Sequence, residues 1–373
     1  MAKKAVIFIL SLMISVHLYA QNTYVFIGSY NLDNTQEGIY VYQLTSKGAL
    51  KKITSAKIHN PSFLNLSPDG KFLYACTNTK TPNAGNISSY EFDAKQKTLT
   101  FINSQRSGGE NPVYLSVHKS GKWLVNANYT EGSASVYSLE NGKISPYIQN
   151  FQYTTEHSID PKRQERSHVH SSVFSPKNDY VFMPDLGADK IRCYQFDISQ
   201  KKPLQAAQYP FTKTVEGSGP RHFTFHPNGK LAYCIEELSG TVSVYAYDNG
   251  KLDSIQRIET HSSQYVDGFG SADIHISPDS RFLYASNRGK ENNIAIFSIE
   301  NNGILKNIDY QSTLGEHPRM FGIDPKGKFV IVANQVSGNV VVFKRNAKTG
   351  LLKKVGNSIK ITEPSCVQIR QYK

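Results

Sequence analysis

The chain repeats one short pattern of strands and turns along most of its 373 residues. Each copy reads as an apolar strand, a tight turn, a second apolar strand, and a third strand that ends in Tyr or Phe. Proline restricts the backbone angle φ of one turn residue, and Gly or Asn readily adopts the left-handed conformation that another turn residue needs, so these turns have a physical cause. The turns are SPDG (67–70), HKSG (118–121), SPKN (175–178), HPNG (226–229), SPDS (277–280) and DPKG (324–327).

The spacing of the copies predicts the architecture. The residue before each second strand recurs at intervals of 51, 57, 51, 51 and 47 residues, from Lys71 to Lys328. Copies of roughly fifty residues, with three visible strands and room for a fourth, are typical of β-propeller blades. A stacked solenoid would need capping ends, and no stretch shows sustained helical periodicity. The predicted fold class is all-β.

The two ends of the chain share one further blade. A seventh copy opens with YVFIGSY (24–30) and IYVYQL (39–44) but lacks a first strand. The missing strand is PSCVQIR (364–370), which matches first strands such as PSFLNLS (61–67). Pairing of the two ends would close the ring and remove exposed sheet edges. We therefore expect one seven-bladed β-propeller over residues 21–373, acting as a monomer.

Residues 1–20 have the pattern of a secretory signal peptide. Lys3 and Lys4 precede a short apolar core, and Ala20 supplies the small residue of a cleavage site. The core is too short to span a bilayer, and no later stretch approaches the roughly 20 apolar residues that spanning requires. We expect an exported protein, periplasmic or extracellular, that does not insert into a membrane after cleavage.

The net charge of +12 does not by itself indicate a nucleic-acid partner. Many lysines fall in turns, such as Lys71, Lys122, Lys230 and Lys328, and they are scattered along the chain. Nucleic-acid binding instead needs a basic patch that follows the phosphate backbone. We expect no nucleic-acid partner, whereas a small anionic substrate is compatible with this charge.

The sequence offers no strong metal site. His168 and His170 stand at alternate positions, but no fixed third ligand accompanies them. The cysteines lack the close spacing of a metal site or redox pair and are interpreted as small buried hydrophobes: Cys76, Cys193, Cys234 and Cys366. One position of the repeat is polar in most copies, and its residues could bind calcium as in a calcium-dependent propeller lactonase, although a hydrogen-bonding role at strand ends is favoured. These residues are Asn128, Asp185, Glu236, Asn287 and Asn334. We expect neither metal nor cofactor.

Function is expected where one copy departs from the others. The position after the proline, or its equivalent, at the start of the first strand is small or apolar in four copies. The other three copies carry His170, Arg221 and Arg319 there. First strands line the central channel of a propeller, so these side chains are expected at the channel. A second slot, at the end of the second strand, holds Glu237 and Arg288 in adjacent copies.

These residue types suit the chemistry of esters. Guanidinium groups can hold a carboxylate or phosphate, or stabilise an oxyanion. A histidine can move a proton, and a carboxylate can orient it. We expect these side chains, which come from consecutive blades, to converge at one channel mouth; whether Glu236 or Glu237 faces the channel is left open. Further polar groups at the same level are His168, His222, His275, His317 and Asp273.

At these residues the sequence resembles the 6-phosphogluconolactonase-like family of propeller lactonases, which also includes the carboxymuconate-lactonising cyclases of fungi. The resemblance implies an active site at one channel mouth, with catalytic roles for His170, Arg221, Glu237 and Arg288. The segment RQERSH (163–168) is also similar, and the longer loop of about 146–167 is either a lid over the mouth or a surface excursion. The matching segments are SHVHS (167–171), EGSGPRH (216–222), YCIEEL (233–238), SADIHISPD (271–279), LYASNR (283–288) and HPRMFGID (317–324).

The resemblance implies hydrolysis of a small anionic sugar δ-lactone such as 6-phosphogluconolactone. Arg221 and Arg288 would hold the anionic group or polarise the carbonyl, and His170 with Glu237 would activate water. Substrate binding would be supported by His168, His222, His317 and Arg319. Export would separate the protein from the cytoplasmic pentose phosphate route, so the substrate stays open.

Two other functions stay open from the sequence. A cycloisomerase that opens or closes a muconate-like lactone would use the same four residues, with Arg319 and His317 as additional cationic contacts. A non-catalytic propeller that binds a protein or glycan would show a large apolar rim and no convergence of His, Arg and Glu.

Overall fold

The computed structural model describes residues 21–31, 33, 35–77, 85–154 and 159–372. The described residues form thirty strands in seven antiparallel sheets, so the predicted all-β class is confirmed. Within these ranges no helix is long and apolar enough to cross a bilayer. The proposed signal peptide, residues 1–20, lies outside the described residues.

Each sheet is one blade, and the first blade combines both ends of the chain: β1 (Asn22–Ser29), β2 (Glu37–Leu44), β3 (Leu50–Lys57) and β30 (Pro364–Tyr372). Blade two contains β4 (Pro61–Leu66), β5 (Phe72–Thr77), β6 (Asn86–Asp93) and β7 (Thr98–Arg106). Blade three contains β8 (Pro112–Val117), β9 (Trp123–Asn128), β10 (Ser133–Glu140), β11 (Lys143–Ile144) and β12 (Gln149–Gln152). Blade four contains β13 (Val173–Phe174), β14 (Tyr180–Asp185), β15 (Lys190–Phe196) and β16 (Leu204–Lys213). Blade five contains β17 (Pro220–Phe225), β18 (Leu231–Glu236), β19 (Thr241–Asp248) and β20 (Lys251–Glu259). Blade six contains β21 (Ser271–Ile276), β22 (Phe282–Asn287), β23 (Asn293–Ile299) and β24 (Leu305–Ser312). Blade seven contains β25 (Pro318–Ile323), β26 (Phe329–Asn334), β27 (Asn339–Arg345), β28 (Leu352–Lys354) and β29 (Ile359–Lys360).

The C-terminal strand closes the ring as the repeat pattern predicts. β30 pairs antiparallel with β1, from Asn22 opposite Tyr372 to Ser29 opposite Pro364. This pairing supplies the innermost strand that the first blade lacks and satisfies the backbone groups of β1 on that side. The two ends of the chain are therefore held in one sheet.

The hydrophobic core lies between neighbouring blades. Between blades five and six, for example, Tyr233 and Ile235 pack against Leu283 and Phe297. The hydroxyl of Tyr233 also donates a hydrogen bond of 3.0 Å to the carbonyl of Gly303 in the next blade. Because each sheet is covered by its neighbours, the stability of one blade depends on the closed ring. The four cysteines are free and buried within this core, as the sequence predicts.

The slot that carries His170, Arg221 and Arg319 coincides with a break in strand pairing. Arg221 is an extra residue between the pairs Pro220–Glu236 and His222–Ile235, and the same register shift surrounds Arg319. Such a β-bulge bends the strand and re-aims a side chain. In blade four the pairing is weaker still, because only an isolated bridge, Val169–Asp185, precedes β13.

The antiparallel order of the strands sorts the connections onto two faces. One face, here called the turn face, carries the hairpins between first and second strands and between third and fourth strands. The opposite face, here called the loop face, carries the hairpins between second and third strands and the connections between blades. Turns of adjacent blades meet on the turn face, where the amide of Lys119 donates to the Asn178 side chain at 2.8 Å.

Candidate active site

Glu237 is the centre of a cluster of arginines on the loop face. It follows the last residue of β18, and its Oε2 accepts hydrogen bonds from Arg221 Nε at 2.8 Å and Arg288 Nη2 at 2.9 Å. Its other oxygen accepts from Arg163 Nη2. Burial alone would raise the pKa of this carboxyl, but Arg288 and Arg221 hold the pKa well below its usual range. Glu237 is therefore ionised at neutral pH.

Glu236 belongs to a different network. It ends β18, and its carboxylate accepts from Ser243 Oγ at 2.8 Å and from Arg257 Nε at 2.8 Å. A further bond from Thr241 completes its environment at the start of β19. The choice between the two acids, which the sequence leaves open, is thus decided: Glu237 joins Arg221 and Arg288, and Glu236 ties strand ends together.

Arg221 lies at the bottom of the cluster. Its side chain is 1% exposed, and besides Glu237 it contacts the carbonyl of Ala272 and, at 3.1 Å, Nε2 of His222. Burial, followed by the charge of Arg288, lowers the pKa of this guanidinium to about 9. Arg221 therefore keeps its positive charge at neutral pH while fixed on three sides.

A buried aspartate orients His222 beneath Arg221. Asp273 Oδ1 lies 2.8 Å from His222 Nδ1, and its Oδ2 lies 2.9 Å from His275 Nε2. Burial, followed by the charge of Arg221, lowers the pKa of His222 to about 4, so the ring is neutral. A neutral ring that donates from Nδ1 to Asp273 presents Nε2 as an acceptor to Arg221. Asp273 thereby sets the position of Arg221 through His222.

His170 has an unused ring nitrogen beside this cluster. Its side chain is buried, and Nδ1 has no hydrogen-bond partner among the described residues. The ring packs edge-on against Tyr129 and His222, with centroid distances of 5.3 and 5.4 Å. Burial first, and then the charge of Arg221, lowers its pKa well below the usual value. His170 is therefore a neutral imidazole that can accept a proton.

His168 lines the site with both ring nitrogens occupied. Nδ1 lies 2.8 Å from the carbonyl of Tyr129, and Nε2 lies 3.3 Å from a carboxylate oxygen of Glu165. The ring also stacks on Tyr129 at a centroid distance of 4.3 Å. These contacts favour a positioning role for His168, toward Tyr129 and the loop that carries Glu165.

The loop that precedes blade four reaches the cluster through Arg163, which the repeat comparison does not single out. The side chain of Gln164 donates to the carbonyl of Leu186 at 2.9 Å, which holds the loop against blade four. A Cβ at Gly187 would lie 1.8 Å from the carbonyl oxygen of Arg166, so only glycine allows this close approach. Of the longer segment 146–167, β12 belongs to blade three, and residues 155–158 lie outside the described residues. The part that carries Arg163 therefore contacts the arginine cluster, and its role as a lid stays a prediction.

Arg288, His317 and Arg319 form the side of the cluster contributed by blades six and seven. Arg288 Nε donates to the carbonyl of Gly270 at 2.8 Å, and its Nη1 lies 3.5 Å from His317 Nε2. Burial, together with Arg288 and Arg319, lowers the pKa of His317 to about 4. Arg319 lies over the ring of Tyr30 at 5.7 Å and forms no ion pair with a described acidic side chain. Its charge is thus the least compensated at the site.

The residues considered for calcium are used in hydrogen bonds at strand ends. Asn287 Nδ2, for example, donates to the carbonyl of Thr260 at 2.6 Å, and Asp185 accepts from Arg192 Nε at 2.8 Å. The described part of the chain holds no group of three or more His, Cys, Asp or Glu side chains that could bind a metal ion. The hydrogen-bonding role favoured from the sequence is the one observed at these two positions.

Known proteins resemble this chain over nearly its whole length. A family model described as a lactonase with a seven-bladed β-propeller matches residues 24–369. A 6-phosphogluconolactonase of Formosa agariphila is 42% identical over 352 residues, which cover 93% of this chain and 99% of that protein. A 6-phosphogluconolactonase of Bacillus subtilis is 31% identical over 349 residues, which cover 92% and 97%. The structure of a periplasmic gluconolactonase of Pseudomonas aeruginosa has 34% identity and a TM-score of 0.88, covering 94% of this chain and 99% of that one.

The similarity agrees with the architecture. Seven antiparallel sheets, five with four strands and two with five, and the closure of the ring by β30 follow from the structure alone. The family model spans from β1 to β30, so it includes every blade. The reading as a non-catalytic binding propeller is thereby set aside. The chain belongs to the lactonase family of seven-bladed β-propellers, and it is a lactone hydrolase.

Proposed function

We propose that this protein hydrolyses a sugar δ-lactone of the 6-phosphogluconolactone type at the channel mouth on the loop face. The observation that carries the proposal is the position of His170. A neutral imidazole with an unused, buried nitrogen lies beside a cluster in which the arginines outnumber the carboxylates. Lactone hydrolysis needs this combination, since a base must activate water while positive charge stabilises the oxyanion.

His170 acts as the general base in this scheme. It takes a proton from water as the water oxygen forms a bond to the lactone carbonyl carbon. The bond between that carbon and the ring oxygen then breaks, and the ring oxygen receives the proton from His170. General-base assistance of this kind contributes about 10²- to 10⁴-fold in rate. The product is an open-chain hydroxy acid.

Arg288 supplies positive charge to the developing oxyanion. It is less buried than Arg221, and its other contacts, with Glu237 and Gly270, fix its orientation before substrate binds. A preorganised donor of this kind contributes about 10²- to 10³-fold. Because its pKa lies well below the usual range, Glu237 is assigned to positioning rather than to proton transfer.

The anionic group of the substrate is assigned to Arg319 and His317. Arg319 has no carboxylate partner among the described residues, so its charge is available to a phosphate or carboxylate. His317 Nε2 lies 3.5 Å from Arg288 Nη1, and the charges of Arg288 and Arg319, after burial, lower its pKa. In this scheme Arg319 contacts the anionic group of the sugar lactone, and Arg288 contacts its carbonyl oxygen.

Two substrates follow from the two kinds of relative. The proteins of Formosa and Bacillus are named for the phosphorylated lactone, whereas the Pseudomonas protein is named as a periplasmic gluconolactonase. The proposed signal peptide over residues 1–20 would place this protein in the periplasm or outside the cell. The uncompensated charge of Arg319 favours the anionic substrate.

The test measures hydrolysis by the mature protein above the spontaneous rate, with and without a chelator. The substrates are freshly generated 6-phosphoglucono-δ-lactone, glucono-δ-lactone and a muconolactone. We expect chelator-resistant hydrolysis, with a higher kcat/KM for the phosphorylated lactone. Turnover of the muconolactone alone would replace the proposal with the cycloisomerase, and inactivity on all three would overturn it. A His170→Ala variant serves as the control for contaminating lactonase.

A further inference from the structure

The fold gathers onto one face lysines that are far apart in the sequence. First-to-second hairpins contain Lys122, Lys230 and Lys328, and third-to-fourth hairpins contain Lys47 and Lys348. The antiparallel order of every blade directs both kinds of hairpin to the turn face. The scattered lysines of the sequence therefore become neighbours on a single surface.

Six lysines of this surface lie in blades seven and one. The turn of blade one packs against blade seven, since a Cβ at Gly48 would lie 2.8 Å from both Phe329 and Val355. Lys328 Nζ also donates to the carbonyl of Ser46 at 2.7 Å, across the same boundary. The six lysines here called the basic patch are Lys47, Lys326, Lys328, Lys348, Lys353 and Lys354.

The charges of the basic patch are not compensated locally. All six lysines are exposed, and none forms an ion pair with an acidic side chain within the part of the chain that the structure describes. The nearby Asp324 is buried and is used by the amide of Phe329. Positive charge without a partner on an exposed surface attracts an anionic surface.

The loop face carries exposed charges of both signs around its rim. Exposed acids in its loops include Glu216, Asp267, Glu316 and Glu363. One of its lysines, Lys290, is paired with Asp267 at 2.6 Å. Exposed lysines lie there as well, among them Lys57, Lys213 and Lys360, so charges of both signs alternate around the loop face. The basic patch is more uniform in sign, so an anionic surface would meet the turn face there while the loop face is directed away.

We propose that the turn face docks, without insertion, on an anionic phospholipid bilayer. Tight hairpins at one level form a broad face rather than a groove, which suits a planar partner. The described hairpins of this face contain no Phe, Tyr or Trp, so they lack the stacking groups that single-stranded nucleic acid uses. The basic patch would bind the headgroups, and the candidate active site would stay accessible on the opposite face.

The experiment measures the binding of mature protein to two kinds of vesicle. One consists of phosphatidylcholine alone, and the other contains about 30 mol% of the anionic lipid phosphatidylglycerol in phosphatidylcholine. The test variant combines Lys326→Gln, Lys348→Gln and Lys353→Gln. The matched control combines Lys57→Gln, Lys213→Gln and Lys360→Gln, three exposed lysines at the loop-face ends of strands. Both variants have the same net charge, and neither alters the candidate active site.

We expect wild-type protein to bind only the anionic vesicles, with binding that weakens as salt is raised. Each lysine near an anionic bilayer strengthens binding about fivefold, so the test variant should bind about 100-fold more weakly. The control should stay within about threefold of wild type, and lactonase activity should be unchanged in both variants and on the vesicle. Equal weakening in both variants, no binding by wild type, or equally tight binding to duplex DNA would each overturn the proposal.

Discussion

Glu236 and Glu237 are consecutive residues whose carboxylates enter separate ion-pair networks. Glu236 is held by Arg257 at 2.8 Å, and Glu237 by Arg221 at the same distance. Both side chains are buried, so both networks are costly to break. Only the second network includes residues assigned to the reaction, and this difference can be measured.

Replacing Glu237 with Gln is expected to lower kcat/KM by about 10²-fold or more, because Arg288 and Arg221 lose the carboxylate that orients them. The matched Glu236→Gln variant is expected to lower the free energy of unfolding by about 3 kcal/mol, with kcat within about threefold of wild type. Steady-state kinetics and urea denaturation separate the two effects. Equal kinetic effects in the two variants would contradict this division of roles.

Removal of the His170 ring is expected to lower kcat by about 10²- to 10⁴-fold. Since the pKa of His170 lies well below its usual value, the base is neutral at neutral pH and is lost only as the pH falls through that lower value. The acid limb of the kcat/KM profile should therefore lie below pH 6.5. The profile of wild type and the rates of His170→Ala and His168→Ala check this, and an acid limb at or above pH 6.5 would count against His170 as the base.

The buried, neutral His222 is expected to make the protein sensitive to acid. Its pKa is about 4 in the folded protein and near 6.5 when unfolded, so unfolding takes up a proton between these values. The stability contributed by the neutral ring is present above pH 6.5 and is lost as the pH falls toward 4, by about 3 kcal/mol. Urea denaturation from pH 7 to 4 should show a shallower loss in His222→Gln than in wild type. Parallel curves for the two proteins would contradict the assignment.

Loss of the Arg319 charge is expected to affect substrate binding more than chemistry. In Arg319→Gln, KM for the phosphorylated lactone should rise about 10- to 100-fold, since a hydrogen bond to a charged group contributes about 1.5–3 kcal/mol. The kcat should change less than about threefold, and KM for glucono-δ-lactone should change little. Arg166→Gln, which alters an exposed arginine of the nearby loop, is the control. An equal rise in KM for both lactones would remove the phosphate-binding role.

Arg163 is expected to act on catalysis without much effect on stability. It is 42% exposed, and partly exposed ion pairs contribute about 0–1 kcal/mol. Its bond to Glu237 nevertheless joins the loop to the arginine cluster, so Arg163→Ala should lower kcat/KM about tenfold. Lys162→Ala, at the adjacent position, should leave it unchanged. If both variants behave as wild type, the loop has no part in the reaction.

Much of the site was accessible from the sequence because repeats separate architecture from function. The slot with Ser, Val and Ala in four copies holds His170, Arg221 and Arg319 in the others, and the structure shows a β-bulge at the last two. A bulge recurs with the repeat, so a comparison of copies detects the position without knowing its geometry. Glu237 and Arg288 were found in the same way and lie in contact at 2.9 Å.

Other parts of the site had no such signal. Arg163 lies in a loop present in only one copy, so the repeat offers nothing to compare with it. The partnership of Asp273 with His222 joins residues 51 positions apart in neighbouring blades. Which ring nitrogens are occupied in His168 and His222 likewise depends on contacts that form only in the folded protein. These contacts favour positioning roles for both residues, and their expected part in substrate binding stays a prediction.

The sequence by itself determined the strands, the number of blades and the closure of the ring, because alternation, turn residues and copy length are local properties of the chain. Tertiary structure alone decided which of Glu236 and Glu237 meets the arginines, since one step along a strand end reverses the direction of a side chain. It also decided the electrostatics. Dispersed lysines share a face, and buried histidines lose their charge, because both depend on distances that exist only once the blades are packed.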